Sequence, residues 1–448
     1  MISEPWHVRY PWSLPLRARW SRARMGRFRN ERFRWMVRHA AATMPFYRRL
    51  LEETGVDPGR IRGLADRELL PLVTREALRQ AGEAAWASDL PPPARWIAST
   101  SGSSGNPLIL LFDRSERLRT HLVNMHCEWL YGWRPWYRSM GLGTQFVPPQ
   151  GTWLQRLGLV RWKWVDPARP VGEWVDLYEQ WRPHSLRAYP SALREFCAEA
   201  RLRGGLRWRP RVLAAGGELY PPELDEPVSQ TFGMTPVLVY GAMEAGRIAF
   251  GCRPGGALHV RMDGVDLEIL LDDGRPAPPG QNGQVVLTSL LYGCMPVIRY
   301  RLGDLACWDD APCGCGLWWP RIRLQEGRGS EVLALPDGRR VPITTVGGVI
   351  GRVPGLRQYQ FVQRAATALA VRYAADGDVR QMEIALAQLR AMLSGVEVTG
   401  ERVERIAHTA TGKVRRFVRY GEPADPEAEG SDPAAPLCPP VVDGYPRF

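Results

Sequence analysis

Eight consecutive residues, Thr100-Ser101-Gly102-Ser103-Ser104-Gly105-Asn106-Pro107, combine four hydroxyl side chains with two glycines. A loop of this composition can turn backbone N–H groups and hydroxyls toward one anion, because glycine lets the backbone approach closely. The flanks, Arg95 to Ala98 and Leu108 to Phe112, have the apolar content and length of short strands. A plain Gly/Ser turn or linker is the structural alternative. A Walker A loop is excluded, since that motif ends in Gly-Lys-Ser/Thr at a helix start. Here Asn106-Pro107 stands in that place and a strand follows.

A second group with chemical potential is the set of eight cysteines. Cys313 and Cys315 form a tight pair, and Cys252 and His259 lie upstream with six residues between them. Together they offer four soft or borderline ligands, the number a closed zinc site needs. Cys307 is a rival ligand, and buried thiols acting as small hydrophobes are the alternative to any metal. Disulfides are not expected in a long chain without a signal peptide.

These groups need a scaffold. The 448 residues are enough for two or three domains, and 45% hydrophobic with 24% charged residues is ordinary globular composition, not that of a disordered or membrane-embedded chain. No apolar run is long enough to span a bilayer, and the first residues lack an apolar signal core; a cytoplasmic location is the default expectation. The 18 tryptophans point to wide aromatic surfaces. Trp129, Tyr131, Trp133, Trp136 and Tyr137 are candidates for a flat pocket, or for core.

The net charge of +12 owes much to Arg17, Arg19, Arg22, Arg24, Arg27, Arg29, Arg32, Arg34 and Arg38, interleaved with Trp20, Phe28, Phe33, Trp35 and Met36. Contact with nucleic acid or anionic lipid is one reading. No nucleic-acid motif accompanies the run. The favoured reading is an amphipathic helix whose apolar stripe packs on the body while the arginines face water.

Along the chain, residues 30–52 read as helical with Pro45 as an interruption. Thr74 has the character of a helix cap. Arg114 to Tyr131 reads as a helix closed by Gly132. Met140 to Thr144 reads as a strand and turn, and Trp153 to Val165 has no clear period. Leu177 to Tyr189 fits helix then strand, and Pro190 to Arg203 a helix. Arg211 to Ala215 and Val237 to Tyr240 are strands running into Gly216-Gly217-Glu218 and Gly241-Ala242-Met243-Glu244. Strand–turn units with intervening helices imply α/β layering. Asp266 to Leu271, Gly283 to Ser289 and Met295 to Tyr300 predict a β-rich subdomain. A boundary falls near Gly327-Arg328-Gly329. Beyond it Gln358 to Gln363, Ala368 to Tyr373 and Val396 to Ile406 read as strands. Between them a helix runs from Asp378 to Gly395, with Val379, Met382, Leu386, Leu389 and Leu393 on one face. The chain after Tyr420 has the composition of a disordered tail.

The ordered set STSGSSGNP, AGGE, YGAME, YRLGD, GR and TGKVRR resembles the adenylate-forming superfamily of acyl- and aryl-CoA ligases. It spans Ser99 to Arg416. The stretches MPFYRRLLEETGVDP and MPVIRYRLGDLA resemble the phenylacetate–CoA ligase branch, including its capsule-biosynthesis relatives. The resemblance implies an α/β fold with a large N-terminal domain at 1–326 bearing a β-rich subdomain. It also implies a small mobile α+β domain at 327–420 and a disordered segment at 421–448.

It further implies ATP-dependent conversion of a carboxylic acid, aromatic by branch, to an acyl-adenylate, then transfer to the thiol of coenzyme A. Amine or hydroxyl acceptors, or a non-catalytic nucleotide- or acyl-binding protein on the same scaffold, are the alternatives. By the same resemblance Thr100, Ser101, Gly102, Ser103, Ser104 and Gly105 would hold the ATP phosphates. Glu244 would coordinate Mg²⁺. Tyr240 and Gly241 would lie on adenine, and Gly217 with Glu218 along its edge. Asp304 and Arg328 would hold the ribose. Lys413 would reach the α-phosphate and the carboxylate. Cys252, His259, Cys313 and Cys315 would bind a structural Zn²⁺, a site common in this branch. Taken alone, Asp304 also fits a turn, Glu244 a helix cap, Tyr240 the core and Lys413 a solvated charge. The implied partners are the acid, ATP and coenzyme A or another acceptor, with no nucleic acid and no membrane span; a homodimer is compatible with this. Asn106, Met243 and Ser330 depart from the usual wording of the motifs.

Overall fold

A computed structural model describes residues 13–88, 96–99, 108–142, 153–167, 169–252, 256–325, 332–376, 379–409 and 413–420. The chain divides into two units, one of 1–132 with 239–325 and one of 133–238 with 326–448. Residues 100–107, Arg328, Ser330 and the segment 421–448 lie outside the described residues, so the expectations placed on them are not addressed by the fold.

In the first unit an antiparallel sheet runs in the order Val265–Leu270, Gly283–Ser289, Tyr300–Asp309, Arg321–Leu324, Leu258–Val260, Gly246–Phe250, Val237–Ala242. A separate two-stranded ribbon pairs Trp96–Ser99 with Ile109–Phe112, closing on Ser99 opposite Ile109. These are the two arms that flank the hydroxyl-rich loop. The helix Arg114–Leu130 starts where Asp113 accepts the Glu116 backbone N–H at 2.7 Å, an N-cap that satisfies an otherwise orphaned donor.

The N-terminal helix begins earlier than the periodicity predicts. Ser21 caps it, and it runs Arg22–Thr43 before Pro45 opens a second helix, Pro45–Glu53. Met25, Phe33, Met36, Val37 and Ala40 are buried, as an apolar stripe requires. Three of its neighbouring arginines do not face water. Arg17 is buried against Asp263, Arg29 holds Asp266 at 2.6 Å, and Arg32 donates to the Leu290 carbonyl. For Arg29 the cause lies in strand Val265–Leu270, which is buried along its whole length. Leu267 and Ile269 alternate with Asp266 and Glu268, so one face of the strand is apolar and the other carries buried carboxylates. Burying a charge is tolerable only when it is paired, and Arg29, Arg67 and Arg299 supply the partners. Asp263 is wholly buried, which works against ionisation, yet Arg261 and Arg17 hold its carboxyl below the usual range.

Met295 to Tyr300 is not the strand that its alternation predicts; the strand starts at Tyr300. Pro296 has no N–H to give a ladder, and Arg299 adopts a left-handed φ of 44°. The Tyr47 hydroxyl replaces the ladder, donating to the Pro296 carbonyl and accepting the Ile298 N–H, both at 3.1 Å.

Just before this segment the Glu116 carboxylate accepts the backbone N–H groups of Gly293 and Cys294. Burial, reinforced by Asp113 and opposed by Arg119 and the Cys294 N–H, raises its pKa from 4.5 to about 7. The stability tied to this group is therefore present below about pH 4.5 and is lost as pH rises through 7. Glu116→Gln, which keeps the accepting oxygen, is expected to unfold at a higher temperature than the parent at pH 8 and to lose that advantage by pH 5. Parallel thermal midpoints across that range would contradict it.

In the second unit four parallel strands run in the order Val212–Gly216, Ser185–Ala188, Arg138–Leu142, Arg161–Val165. Helices Val171–Trp181, Pro190–Leu202 and Asp225–Phe232 cover one face, packing Trp174, Tyr178, Phe196 and Phe232 on Met140, Leu142, Leu186 and Leu213. The stretch without a clear period resolves into a short helix, Trp153–Arg156, and the edge strand Arg161–Val165. Trp133 is core, its indole N–H donating to Ser139. Tyr137 stacks on His184 and Trp136 points to solvent. These three therefore do not form the flat wall considered for them.

The C-terminal stretch adds a four-stranded sheet, Glu397–Arg402, Ala368–Ala375, Leu356–Ala365, Phe417–Val418. Helices Ile343–Ile350 and Val379–Met392 share its core through Val346, Ile350, Met382, Leu386 and Leu389. Gly395, at φ 83°, follows the second helix before the chain re-enters the sheet.

Candidate active site

In the first unit the strand Val237–Ala242 turns through Met243, Glu244 and Ala245 into Gly246–Phe250. The turn is tight: a Cβ on Gly241 would sit 2.7 Å from the Gly246 carbonyl oxygen. Glu244 is thus held in a hairpin turn and caps no helix. It is buried, accepts the Tyr300 hydroxyl at 3.2 Å and faces the Arg75 guanidinium at 3.8 Å. Arg75 was not singled out by the sequence. It arrives because Val73 bridges to Tyr300, with Val73 N–H on the Arg299 carbonyl and Arg301 N–H on Val73, and because Thr74 then caps the helix Arg75–Ala81.

Asp304 sits within strand Tyr300–Asp309 at a bulge. Against Gly283–Ser289, the pairing jumps from Val286↔Arg301 to Gln284↔Leu305, and Gly303 lies at φ 86°. Such a bulge re-aims a side chain, and glycine is the residue that tolerates this φ. The Asp304 carboxylate accepts the Tyr240 hydroxyl at 2.7 Å. Two side chains 64 positions apart are therefore fixed against each other, which a surface-turn aspartate and a core tyrosine would not need.

The second unit carries another group. Gly216 ends its strand and Gly217 follows at φ 84°; a Cβ there would lie 2.4 Å from the Tyr189 ring. Glu218 reaches the start of helix Pro190–Leu202, accepting the Ser191 N–H at 3.0 Å and its hydroxyl at 2.8 Å. A carboxylate at a helix N-terminus is electrostatically favoured, so Glu218 has a clear structural task. Lys413 places its ammonium 5.2 Å from the centre of the Tyr189 ring, a cation–π distance. Tyr189, also missed in the sequence, is signalled only by Pro190 at the first helical turn. Gly217→Ala is expected to displace this ring and to lower stability by about 1–3 kcal/mol, the cost of a side chain in a strained conformation. Unchanged unfolding and unchanged activity in that variant would show that the close approach is not needed.

Of the cysteines, Cys252, Cys313 and Cys315 assemble with His259. The four ligand atoms lie within 4.8 Å of one another, with Cys252 Sγ 3.3 Å from Cys313 Sγ and Cys315 Sγ 3.3 Å from His259 Nε2. Cys307 is apart, buried and accepting from Gln325. His259 Nδ1 lies 3.0 Å from the Trp319 carbonyl oxygen. A carbonyl only accepts, so Nδ1 carries the proton and Nε2 presents its lone pair to the cysteines. Burial and the neighbouring thiols push Cys252 up to about 12. Cys313, despite burial, is pulled down to about 6 by the Cys315 N–H and the surrounding donors. Three sulfurs, one imidazole and a carbonyl that fixes the ring make a donor set that fits tetrahedral zinc.

The architecture is that of the adenylate-forming ligases: a solved 2-hydroxyisobutyryl-CoA ligase in its postadenylation state superposes with a TM-score of 0.71 at 21% identity, over 89% of each chain. In sequence the chain is similar to the phenylacetate–coenzyme A ligase of Thermus thermophilus, 25% identical over 428 residues and 89% of both chains. It is also similar to a fumarate–(S)-2,3-diaminopropanoate ligase of Enterobacter agglomerans, 24% identical over 292 residues, 63% of this chain and 70% of that one. No family model matches. The resemblance read from the motifs thus holds at the level of superfamily and branch. Among the described residues no helix is long and apolar enough to cross a membrane.

Proposed function

We propose that the chain activates a carboxylic acid, aromatic in class, with ATP and transfers the acyl group to coenzyme A. The observation that carries this is the end-to-end match to a phenylacetate–coenzyme A ligase. The motif residues Tyr240, Glu244 and Asp304 stand in hydrogen-bonded positions within one unit, which supports it. The acid carboxylate attacks the α-phosphorus of ATP, and the bond to the β-phosphate oxygen breaks, releasing pyrophosphate. The thiol sulfur of coenzyme A then attacks the acyl carbon of the mixed anhydride, AMP leaves, and the thiol proton passes to solvent.

In this reading Tyr240 and Gly241 receive adenine, and Gly217 and Glu218 are assigned to its edge. Asp304, its orientation set by the Tyr240 hydroxyl, accepts from the ribose hydroxyls, and Arg328 donates to the ribose. Thr100, Ser101, Gly102, Ser103, Ser104 and Gly105 donate to the departing phosphates. Lys413 offers an ammonium to the α-phosphoryl oxygens as charge builds there, a preorganised electrostatic contribution. Glu244 would hold Mg²⁺, a hard cation suited to carboxylate and phosphate oxygens. Cys252, His259, Cys313 and Cys315 would hold a structural Zn²⁺, which contributes cross-linking and no chemistry to the reaction.

One observation favours a second acceptor. The relative from Enterobacter agglomerans is named for joining an acid to an amine, so an amide-forming variant of the second step is the alternative. Hydroxylamine trapping and pyrophosphate release with phenylacetate, benzoate, 2-hydroxyisobutyrate and fumarate test the first step. Coenzyme A and 2,3-diaminopropanoate, offered separately, then distinguish the acceptors. No hydroxamate from any acid in a panel of this breadth would overturn the ligase reading in favour of a binding protein.

A further inference from the structure

Lys413 lies on a short turn whose base is anchored elsewhere. His408 bridges to Val414 across the turn. The Thr409 N–H donates to the Lys413 carbonyl at 2.8 Å, and the Thr409 hydroxyl accepts the Lys413 N–H at 3.2 Å. The lysine backbone is therefore tied to Thr409, four positions earlier, and through it to the adjoining His408.

That residue is buried against a helix from the first half of the unit. His408 Nε2 is 3.0 Å from Glu195 Oε1, and the two side chains are only 7% and 5% exposed. The ring's proton can be assigned. Arg405 Nη2 lies 3.0 Å from His408 Nδ1. A guanidinium only donates, so Nδ1 accepts and the proton sits on Nε2, aimed at the carboxylate. A third residue completes the junction. Gln358 donates to Glu195 at 3.1 Å, accepts the Ile406 N–H at 2.7 Å and donates to the Ile406 carbonyl at 3.2 Å. It grips the backbone two residues ahead of His408 in both directions.

Glu195 belongs to helix Pro190–Leu202, and the residue that precedes this helix is Tyr189, which Lys413 faces. Six positions along a helix span about 9 Å. The turn thus meets one rigid rod at two points: His408 on Glu195, and the lysine ammonium over Tyr189. An apolar contact would hold the turn without fixing its register. A buried hydrogen-bonded one has a single satisfied geometry, because each donor left unpaired is costly.

We propose that Glu195, His408 and Gln358 are positioning residues that fix the Lys413 turn on helix Pro190–Leu202, and so set the ammonium's place in adenylate formation. The proposal rests on the catalytic reading of Lys413, but its structural half does not.

The test uses the full chain and three variants, Glu195→Ala, His408→Ala and His408→Gln, the last of which keeps an N–H donor. Three quantities are measured: hydroxamate formation from phenylacetate and ATP, thioester formation from synthetic phenylacetyl-AMP and coenzyme A, and amide exchange over 404–416. In the two alanine variants the first rate is expected to fall roughly ten- to hundredfold through kcat, as for a small misplacement of a reacting group, with the KM for ATP within about threefold. The second rate is expected to stay within about twofold, and exchange over the turn to rise by at least about tenfold. His408→Gln is expected to recover most of each loss. Equal falls in both half-reactions would reduce the junction to a folding element. An unchanged first rate, or unchanged exchange, would overturn the proposal. Should the parent form no hydroxamate from phenylacetate or from any other acid of the panel above, the ligase reading fails, while the exchange measurement still decides whether the junction anchors the turn.

Discussion

Lys413→Ala is expected to slow formation of the acyl-adenylate by roughly 10²–10³-fold, the usual cost of removing one preorganised charge from a transition state. The same variant, given ready-made acyl-AMP, is expected to make thioester within a few-fold of the parent rate, since attack in that step falls on the acyl carbon and no five-coordinate phosphorus forms. The contrast is the informative part. A side chain that merely holds the fold would lower both rates together. The structure gives reason to expect little collateral damage. The ammonium lies over the Tyr189 ring, while the turn is held by the Thr409 hydroxyl and the His408–Val414 bridge, none of which needs the lysine side chain. Measuring pyrophosphate release and thioester formation separately, each under saturating substrate, decides the matter. Loss of equal size in both would remove Lys413 from the chemistry.

The second large effect is expected at the cysteines. Metal analysis of the purified chain should find about one zinc per molecule, and a strong chelator or Cys313→Ser should lower the unfolding midpoint by on the order of 10 °C. The four ligands explain why. Cys252 follows strand Gly246–Phe250, His259 lies in Leu258–Val260, and Cys313 with Cys315 sits in the connection from Tyr300–Asp309 to Arg321–Leu324. One ion would tie these connections together. Chelated protein that keeps its midpoint but makes no adenylate would assign the metal to catalysis. Protein that carries no zinc as isolated would leave a plain thiol cluster.

Much of this was legible beforehand because the relevant signals are local. Glycines after strands, a capping threonine at 74 and the late Gly-Lys pair each announce a turn or an element end without knowledge of what lies across the fold. Most second-unit strands and helices follow from runs of apolar residues broken by glycine and proline, but strand Arg161–Val165 and helices Asp225–Phe232 and Ile343–Ile350 were not read from the sequence. What was not legible depends on partners distant in sequence. Nothing in the arginine-rich run says that Arg29 will meet Asp266, 237 positions away. Periodicity therefore sent those side chains to water. Met295 to Tyr300 alternates like a strand, but Pro296 and the Tyr47 hydroxyl take it out of the ladder. Cysteine spacing left Cys307 level with its rivals, and only the sheet register separates them. Arg75 and Tyr189 carry no motif; each becomes visible only once Glu244 and Lys413 have found their places.

The pairing of the N-terminal arginines with groups at 263–290 also constrains how the chain is born. A ribosome delivers Arg17, Arg29 and Arg32 more than two hundred residues before Asp263, Asp266 and the Leu290 carbonyl exist. The first unit cannot close during that interval, whereas residues 133–238 emerge with their parallel strands and covering helices already complete among themselves. Synthesis order thus delays one pairing: the arginine-bearing helix is made before residues 133–238, yet its buried partners at 263–290 are made after them. Any truncation that removes Arg17 and Arg29 would leave buried Asp263 to Arg261 alone and Asp266 to the longer contact with Arg67, and the damage would surface far from the cut.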